Sequence, residues 1–297
     1  MSRPRLCIPL QGSKNFPVSV CIVIPVYKNT LTPHEQVSLR QCVRVLGQHP
    51  LVLVMPVSLN AAPLLAAIAE ARQNTNVPAP EVAVVRFADD FFQSVQTYNR
   101  LMLLPAFYQA FAHHEYLLIH QLDAFVFRDD LDYWCRRGYD YVGAPWLRDQ
   151  DFSGSWAETW FNAKKTVARW LNLRQADGIR PKQIITLNAV GNGGLSLRHV
   201  ANALGALRRF GGRAVAYETG AMHEFNEDVF WGVEVNRYWP HLRVPDFRTA
   251  LHFAVEFYPE RAVNHYNKGQ LPFGCHAWDI HGTDFWRPIF AQYGHTI

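Results

Sequence analysis

The chain has 297 residues, 49% hydrophobic and 18% charged, with a formal net charge of +4. That composition supports a sizeable core and excludes general disorder. The mild charge, with no long basic run, excludes nucleic acid as the expected partner.

Five scattered cysteines (Cys7, Cys21, Cys42, Cys135 and Cys275) form no C-x-x-C pair. This argues against a disulfide framework and structural zinc, and for a reducing compartment. No run of about 18 apolar residues exists to span a membrane, and no signal-peptide core follows Arg3 and Arg5 before Lys14. A soluble, cytoplasmic protein is expected.

In chain order, the near-continuous apolar run 18–27 predicts a strand covered on both faces. Thr32-Pro33-His34-Glu35 has capping-box spacing, and Leu39, Cys42, Val43 and Leu46 then share one helical face. "PLVLVMP" (50–56) predicts a second strand, the alanine-rich stretch 63–72 a second helix, and "EVAVVRF" (81–87) a third strand. Helical patterning from 94 to 114 is broken at Pro105. "EYLLIHQLDAFVF" (115–127) supplies a fourth strand with a polar interruption at Gln121 and Asp123. Such alternation indicates βαβ units and a mainly parallel central sheet flanked by helices. Further on, 155–174 interleaves Trp156, Trp160, Phe161 and Trp170 with four basic residues. The preferred expectation is a helix packed by its aromatic face; the alternative is a surface that meets a membrane or lipid-linked substrate.

The P-loop, the complete dinucleotide fingerprint, the zinc-protease helix and the G-x-S-x-G elbow are all absent, although His223-Glu224-Phe225-Asn226-Glu227 comes near the third. Five other clusters offer chemistry. Asp123, at the end of a strand, is either a cation-holding carboxylate or an ordinary turn acid. Trp146, after Gly143-Ala144-Pro145, is a sugar platform or a core tryptophan. Asn192, Gly193 and Gly194 make a ligand-approaching loop or a plain turn. Glu227 and Asp228 are helix-start acids or a general base. His276 is structural or completes a metal site.

Taken together, "QLDAF", "YDYVGAPW", "GNGGLSLR", "EDVFW" and "PFGCHAW" resemble the blocks of GT-A glycosyltransferases, and most nearly those of an uncharacterised bacterial glycosyltransferase-like family. The likeness runs from about Val20 to Trp278. It implies a single compact GT-A-like domain over 18–297, after an N-terminal extension at 1–17. Within it, 18–145 would bind the nucleotide-sugar and 146–297 the acceptor. Pro25, Val26 and Tyr27 would lie beside the nucleotide base, with Gln121, Asp123, Asn192, Gly193 and Gly194 also on the donor. Asp123 and His276 would hold Mn²⁺ or Mg²⁺; Gln121 stands where a first acid is expected, leaving one carboxylate. Trp146 and Trp231 would meet the acceptor, and Asp228, with Glu227, would take its proton.

The implied activity is metal-assisted transfer of a sugar from a nucleotide-sugar, UDP-linked as the first expectation, to a glycan or lipid-linked hydroxyl in bacterial surface polysaccharide or glycolipid synthesis. A direct displacement inverts the anomeric centre. Peripheral contact with the inner face of the membrane is compatible with this reading. The alternative is a non-catalytic sugar-nucleotide or glycan-binding module on the same fold. A third reading, a metal hydrolase around His223, Glu224 and Glu227, predicts tightly bound zinc.

Overall fold

The computed structural model describes residues 19–73, 80–220 and 222–297, with His223 described by its backbone. The extension expected at 1–17 lies outside the described residues, as does the His223 side chain on which the hydrolase reading depends.

The first half follows the expected alternation closely. Strand β1 (Val20–Pro25) is followed by helix α1 (Pro33–Leu46), β2 (Leu51–Pro56), α2 (Ala62–Gln73) and β3 (Ala83–Phe87). Helix α1 starts where the capping box places it: Glu35 N–H donates to the Thr32 hydroxyl, and the Glu35 carboxylate accepts from Thr32 N–H. The break at Pro105 separates α3 (Val95–Met102) from α4 (Pro105–Gln109). Pro105 occupies the first turn of the second helix, where its missing N–H is not needed.

The run 115–127 divides in two. Residues Tyr116–His120 form β4 and Phe125–Val126 form β5, which belongs to a different sheet. Gln121 and Asp123 therefore lie in the turn where the chain leaves one sheet for the other. The polar interruption is a sheet change, and it falls at the carboxyl end of a central strand.

After α5 (Leu131–Arg136) come β6 (Tyr141–Val142), α6 (Ser155–Trp170), β7 (Leu195–His199) and α7 (Val200–Thr219). The main sheet has the order β3-β2-β1-β4-β7-β6. Strands β1 to β4 pair in parallel, and β7 joins β4 antiparallel. The result is the mixed α/β architecture expected, a mostly parallel six-stranded sheet between helices. The strand order reverses direction between β1 and β4. In open α/β sheets, ligands gather beyond the carboxyl ends of the strands at such a switch point.

A second, three-stranded sheet is built from β5, β8 (Ala254–Val255) and β9 (Gly274–Cys275), with β9 in the middle. Each strand is two residues long, too short for periodicity to reveal it in sequence. Four described cysteines, Cys21, Cys42, Cys135 and Cys275, are buried free thiols. Among the described residues no helix is long and apolar enough to cross a membrane.

Helix α6 corrects an expectation. Its tryptophans do not pack on the domain: Trp156, Trp160 and Trp170 face outward, and Ala168 alone on the helix is fully buried. Phe161 alone of its aromatics turns inward, against Phe152 and Arg148, and polar groups hold the rest of that face. Glu158 pairs with Arg248, and Lys165 Nζ donates to the Leu187 carbonyl at 2.7 Å.

Candidate functional site

The small sheet assembles the site. Strands β8 and β9 pair in parallel, with Val255 opposite Cys275, so Glu256 and His276 leave the sheet side by side. Strand β5 pairs antiparallel, with Phe125 opposite Cys275, which brings the preceding Asp123 to the same end. Asp123 Oδ1 thus lies 3.1 Å from His276 Nε2, and Glu256 Oε2 lies 3.6 Å from His276 Nδ1. Burial works against a charged imidazole here, but Asp123 and Glu256 outweigh it and push His276 up to about 10. Burial likewise tends to raise Asp123, yet the facing imidazolium holds its carboxyl below the ordinary value.

The glycine loop comes close from the other side. Gly194 carries its backbone under the imidazole: a Cβ there would lie 1.8 Å from His276 Nε2. Its carbonyl accepts from Gln121 N–H at 2.8 Å, tying the loop to the end of β4. Gly193 approaches Glu227 in the same way, with 2.2 Å left for a Cβ. Asn192, buried in the left-handed region at φ 51°, turns the chain into this approach; asparagine tolerates that conformation better than most residues. Gly194→Ala should therefore force His276 from its place. The expected loss is about 1–3 kcal/mol of stability, the usual range for overpacking. A thermal melt at unchanged stability would show that the ring has room to move.

Two cavities meet at this point. The first, of about 630 Å³, opens beyond β1 and β4 and is lined by Pro25, Val26, Tyr27, Tyr98, Gln121 and Asp123, among others. The second, of about 920 Å³, takes in Trp146, Asn192, Gly193, Gly194, Asp228 and His276. Val95, Tyr98 and Gln121 line both and form the wall between them. The structure thus gathers Pro25, Val26, Tyr27, Gln121 and Asp123 in one place. It puts Asn192, Gly193 and Gly194, expected on the donor, in the other cavity beside Trp146 and Asp228.

Asp228 differs sharply from its neighbour Glu227. Burial, then the Glu227 charge, pushes Asp228 up to about 7, although Val229 N–H donates to its Oδ1 at 2.7 Å. That value suits a group that both accepts and releases a proton near neutrality. Glu227 is occupied elsewhere. Its two carboxylate oxygens accept from the Arg198 guanidinium at 2.8 and 3.0 Å in a buried bidentate pair. Arg198 also donates to Tyr108 Oη at 2.9 Å and Ser196 Oγ at 3.1 Å. Glu227, expected beside Asp228 in proton transfer, thus has both carboxylate oxygens engaged by Arg198 while it lines the second cavity. Trp231, expected to meet the acceptor, is 1% exposed, edge-on to Tyr108, and lines neither cavity.

Among the described residues no group of three or more His, Cys, Asp or Glu side chains is arranged to hold a metal ion. The site offers one carboxylate, one amide oxygen and one imidazole. Gln121 Oε1 lies 3.3 Å and Asp123 Oδ1 3.1 Å from His276 Nε2. Neighbouring ligands on a small octahedral cation stand about 3 Å apart, given bonds near 2.0–2.1 Å. Asp123 Oδ1 is also a buried oxygen with no aligned hydrogen-bond donor. Asp123, Gln121 and His276 are the residues that could hold a divalent cation here, which would have to find its other ligands outside the protein. Loading it requires His276 to give up its proton.

A family model described as Protein of unknown function (DUF5672) matches residues 81–276, more than half of the chain. The chain belongs to the DUF5672 family. The matched span contains Asp123, Asp228, Glu256 and His276, and the whole lining of the second cavity falls within it. Strand β1, which supplies Pro25, Val26 and Tyr27 to the first cavity, lies outside it. No curated protein matches this DUF5672 chain.

Among solved structures it is similar to the WbbM bifunctional glycosyltransferase at 12% identity and a TM-score of 0.47. That match covers 88% of this chain and 46% of the other, so the DUF5672 chain spans less than half of that protein's length. It is similar to mouse xyloside xylosyltransferase 1 at 13% identity and a TM-score of 0.47, covering 87% of this chain and 97% of the other. The galactosyltransferase LgtC, solved with donor and acceptor sugar analogues, matches at 14% identity and a TM-score of 0.48, covering 86% of each chain.

Sequence reasoning missed Glu256, Tyr98 and Arg198. Glu256 follows a two-residue strand with no pattern to mark it. Tyr98 sits in an ordinary helical stretch, and Arg198 reads as a plain strand residue. The one available signal was a buried-strand arginine, which requires an acid partner.

Proposed function

We propose that this protein transfers a sugar from a nucleotide-sugar donor to a hydroxyl acceptor. The observation that carries the reading is the pair of cavities sharing the wall of Val95, Tyr98 and Gln121. Asp123 lines one of them, and Asp228 faces the other. The sequence blocks that resemble glycosyltransferases supply Gln121 to this wall, and Trp146, Asn192, Gly193, Gly194, Asp228 and His276 to the second cavity.

In this reading the first cavity holds the nucleoside diphosphate at the β1/β4 switch point, with Tyr27, 61% exposed at its rim, beside the base. The acceptor enters the second cavity past Trp146. Asp228 takes the proton of the acceptor hydroxyl as its oxygen bonds to the anomeric carbon. The bond from that carbon to the diphosphate breaks, and its electron pair leaves with the nucleotide. A cation held by Asp123, Gln121 and His276 would stabilise the charge growing on the diphosphate. Direct displacement inverts the anomeric centre, and NMR of the product checks it.

The decisive experiment is calorimetric titration with UDP-, GDP-, dTDP- and CMP-sugars, with and without Mn²⁺. At least one should bind, more tightly with the metal. Asp123→Asn should weaken that binding by at least about 10–100-fold, the range seen when even outer-shell partners of a metal are lost. No binding of any donor by a folded sample sinks the proposal.

A further inference from the structure

Helix α6 wears its hydrophobic stripe on the outside. Trp156 is 86% exposed, Trp160 64% and Trp170 60%, and half-exposed Val167 and Leu171 continue the line. The spacing 156, 160, 167, 171 keeps these residues on one helical face. The opposite face is already fixed to the domain through Glu158, Phe161, Lys165 and Ala168, so the stripe is not free to turn inward. A surface of several aromatic residues left in water marks an interaction site.

The charge around the stripe indicates the partner. Between 155 and 182 there are six basic residues and two acidic ones; Lys165 is turned inward and Arg180 is paired, which leaves four basic residues without an acid partner on this segment. Both acids are already paired, Glu158 with Arg248 and Asp177 with Arg180. Lys164 lies exposed over the Trp160 ring at 5.1 Å, and Lys182 is exposed on the same segment. Tryptophans flanked by unneutralised cations match the boundary of an anionic bilayer, where indoles lie at headgroup depth and lysines meet phosphate.

We infer that α6 docks the protein onto an anionic membrane surface, its tryptophans inserted among the headgroups. The inference goes beyond the transfer reading and does not require it. It does have a consequence for access, because the chain that continues from α6 supplies Gln175, Arg180, Lys182 and Leu187 to the second cavity. A membrane under α6 lies beside the opening that an acceptor would use.

Vesicles of phosphatidylethanolamine with phosphatidylglycerol, against vesicles of phosphatidylcholine, test it with the full chain and no nucleotide present. The chain should sediment with the anionic vesicles, shift its tryptophan emission to the blue, and come off as salt is raised. Trp156→Ser combined with Trp160→Ser should weaken partition about tenfold or more while the melting curve stays unchanged. Lys164→Glu should weaken it as well. Wild-type protein that stays in the supernatant overturns the inference, and so does undiminished binding by the double variant. Light scattering that finds a wild-type dimer and a monomeric double variant reassigns the stripe to a second copy of the chain.

Discussion

Asp228→Asn is expected to abolish turnover, by about 10²–10⁴-fold in kcat, while donor binding persists and the fold becomes more stable. The two effects share one cause. Asp228 lies deep enough in the second cavity for burial, with the charge of Glu227, to push it up to about 7, well above the ordinary carboxylate value. Near neutrality a substantial fraction is ionised and can take the proton of an attacking hydroxyl, while the protonated form returns it easily. The wild-type rate should therefore rise with pH through a limb near 7, and that limb should vanish in the variant.

Stability follows the opposite course. A carboxyl with a raised folded value favours folding while it is neutral, and its contribution is lost as pH rises through about 7. Asparagine stays neutral throughout and can still accept from Val229 N–H. The variant should melt a few degrees higher than wild type above pH 7 and equally below about pH 4. Rate measurements and melts on one pair of proteins across that range check both halves. A variant that keeps full activity removes Asp228 from the chemistry, whatever its stability.

The parts of the molecule legible in sequence were those made of long, regular elements. Buried runs such as "VCIVIP" and a capping box at Thr32 carry their own physics, and β1 to α4 formed where it placed them. The site was legible only as a set of chemically apt residues. Asp123 and His276 are far apart in sequence, and their contact depends on three strands of two residues each, which no window can detect. Helix α6 failed for a different reason. Amphipathic patterning says that one face is apolar without saying which way it points, and a default of packing inward ignores Lys165 and Glu158 as inward anchors.

Glu227 and Arg198 illustrate the remaining gap, and Glu227→Ala provides the second large effect. Both side chains are buried, at 4% and 1% exposure. Burial alone would lower the basicity of Arg198, but the Glu227 carboxylate and its surroundings carry it well above its ordinary value. Removing the carboxylate leaves a buried guanidinium with two neutral partners, Tyr108 and Ser196. Breaking a buried pair from one side costs about 3–5 kcal/mol, because the other charge stays desolvated. Urea titration should show that loss for Glu227→Ala, and a similar one for Arg198→Met. The double variant should recover much of it, since replacing both members by apolar groups of similar volume is often close to neutral. The cycle separates framework from chemistry. If Glu227 were a proton acceptor, Glu227→Gln would lose activity even under conditions where the variant is still fully folded. A framework acid predicts the reverse order, with stability falling first and activity falling only as the fold opens.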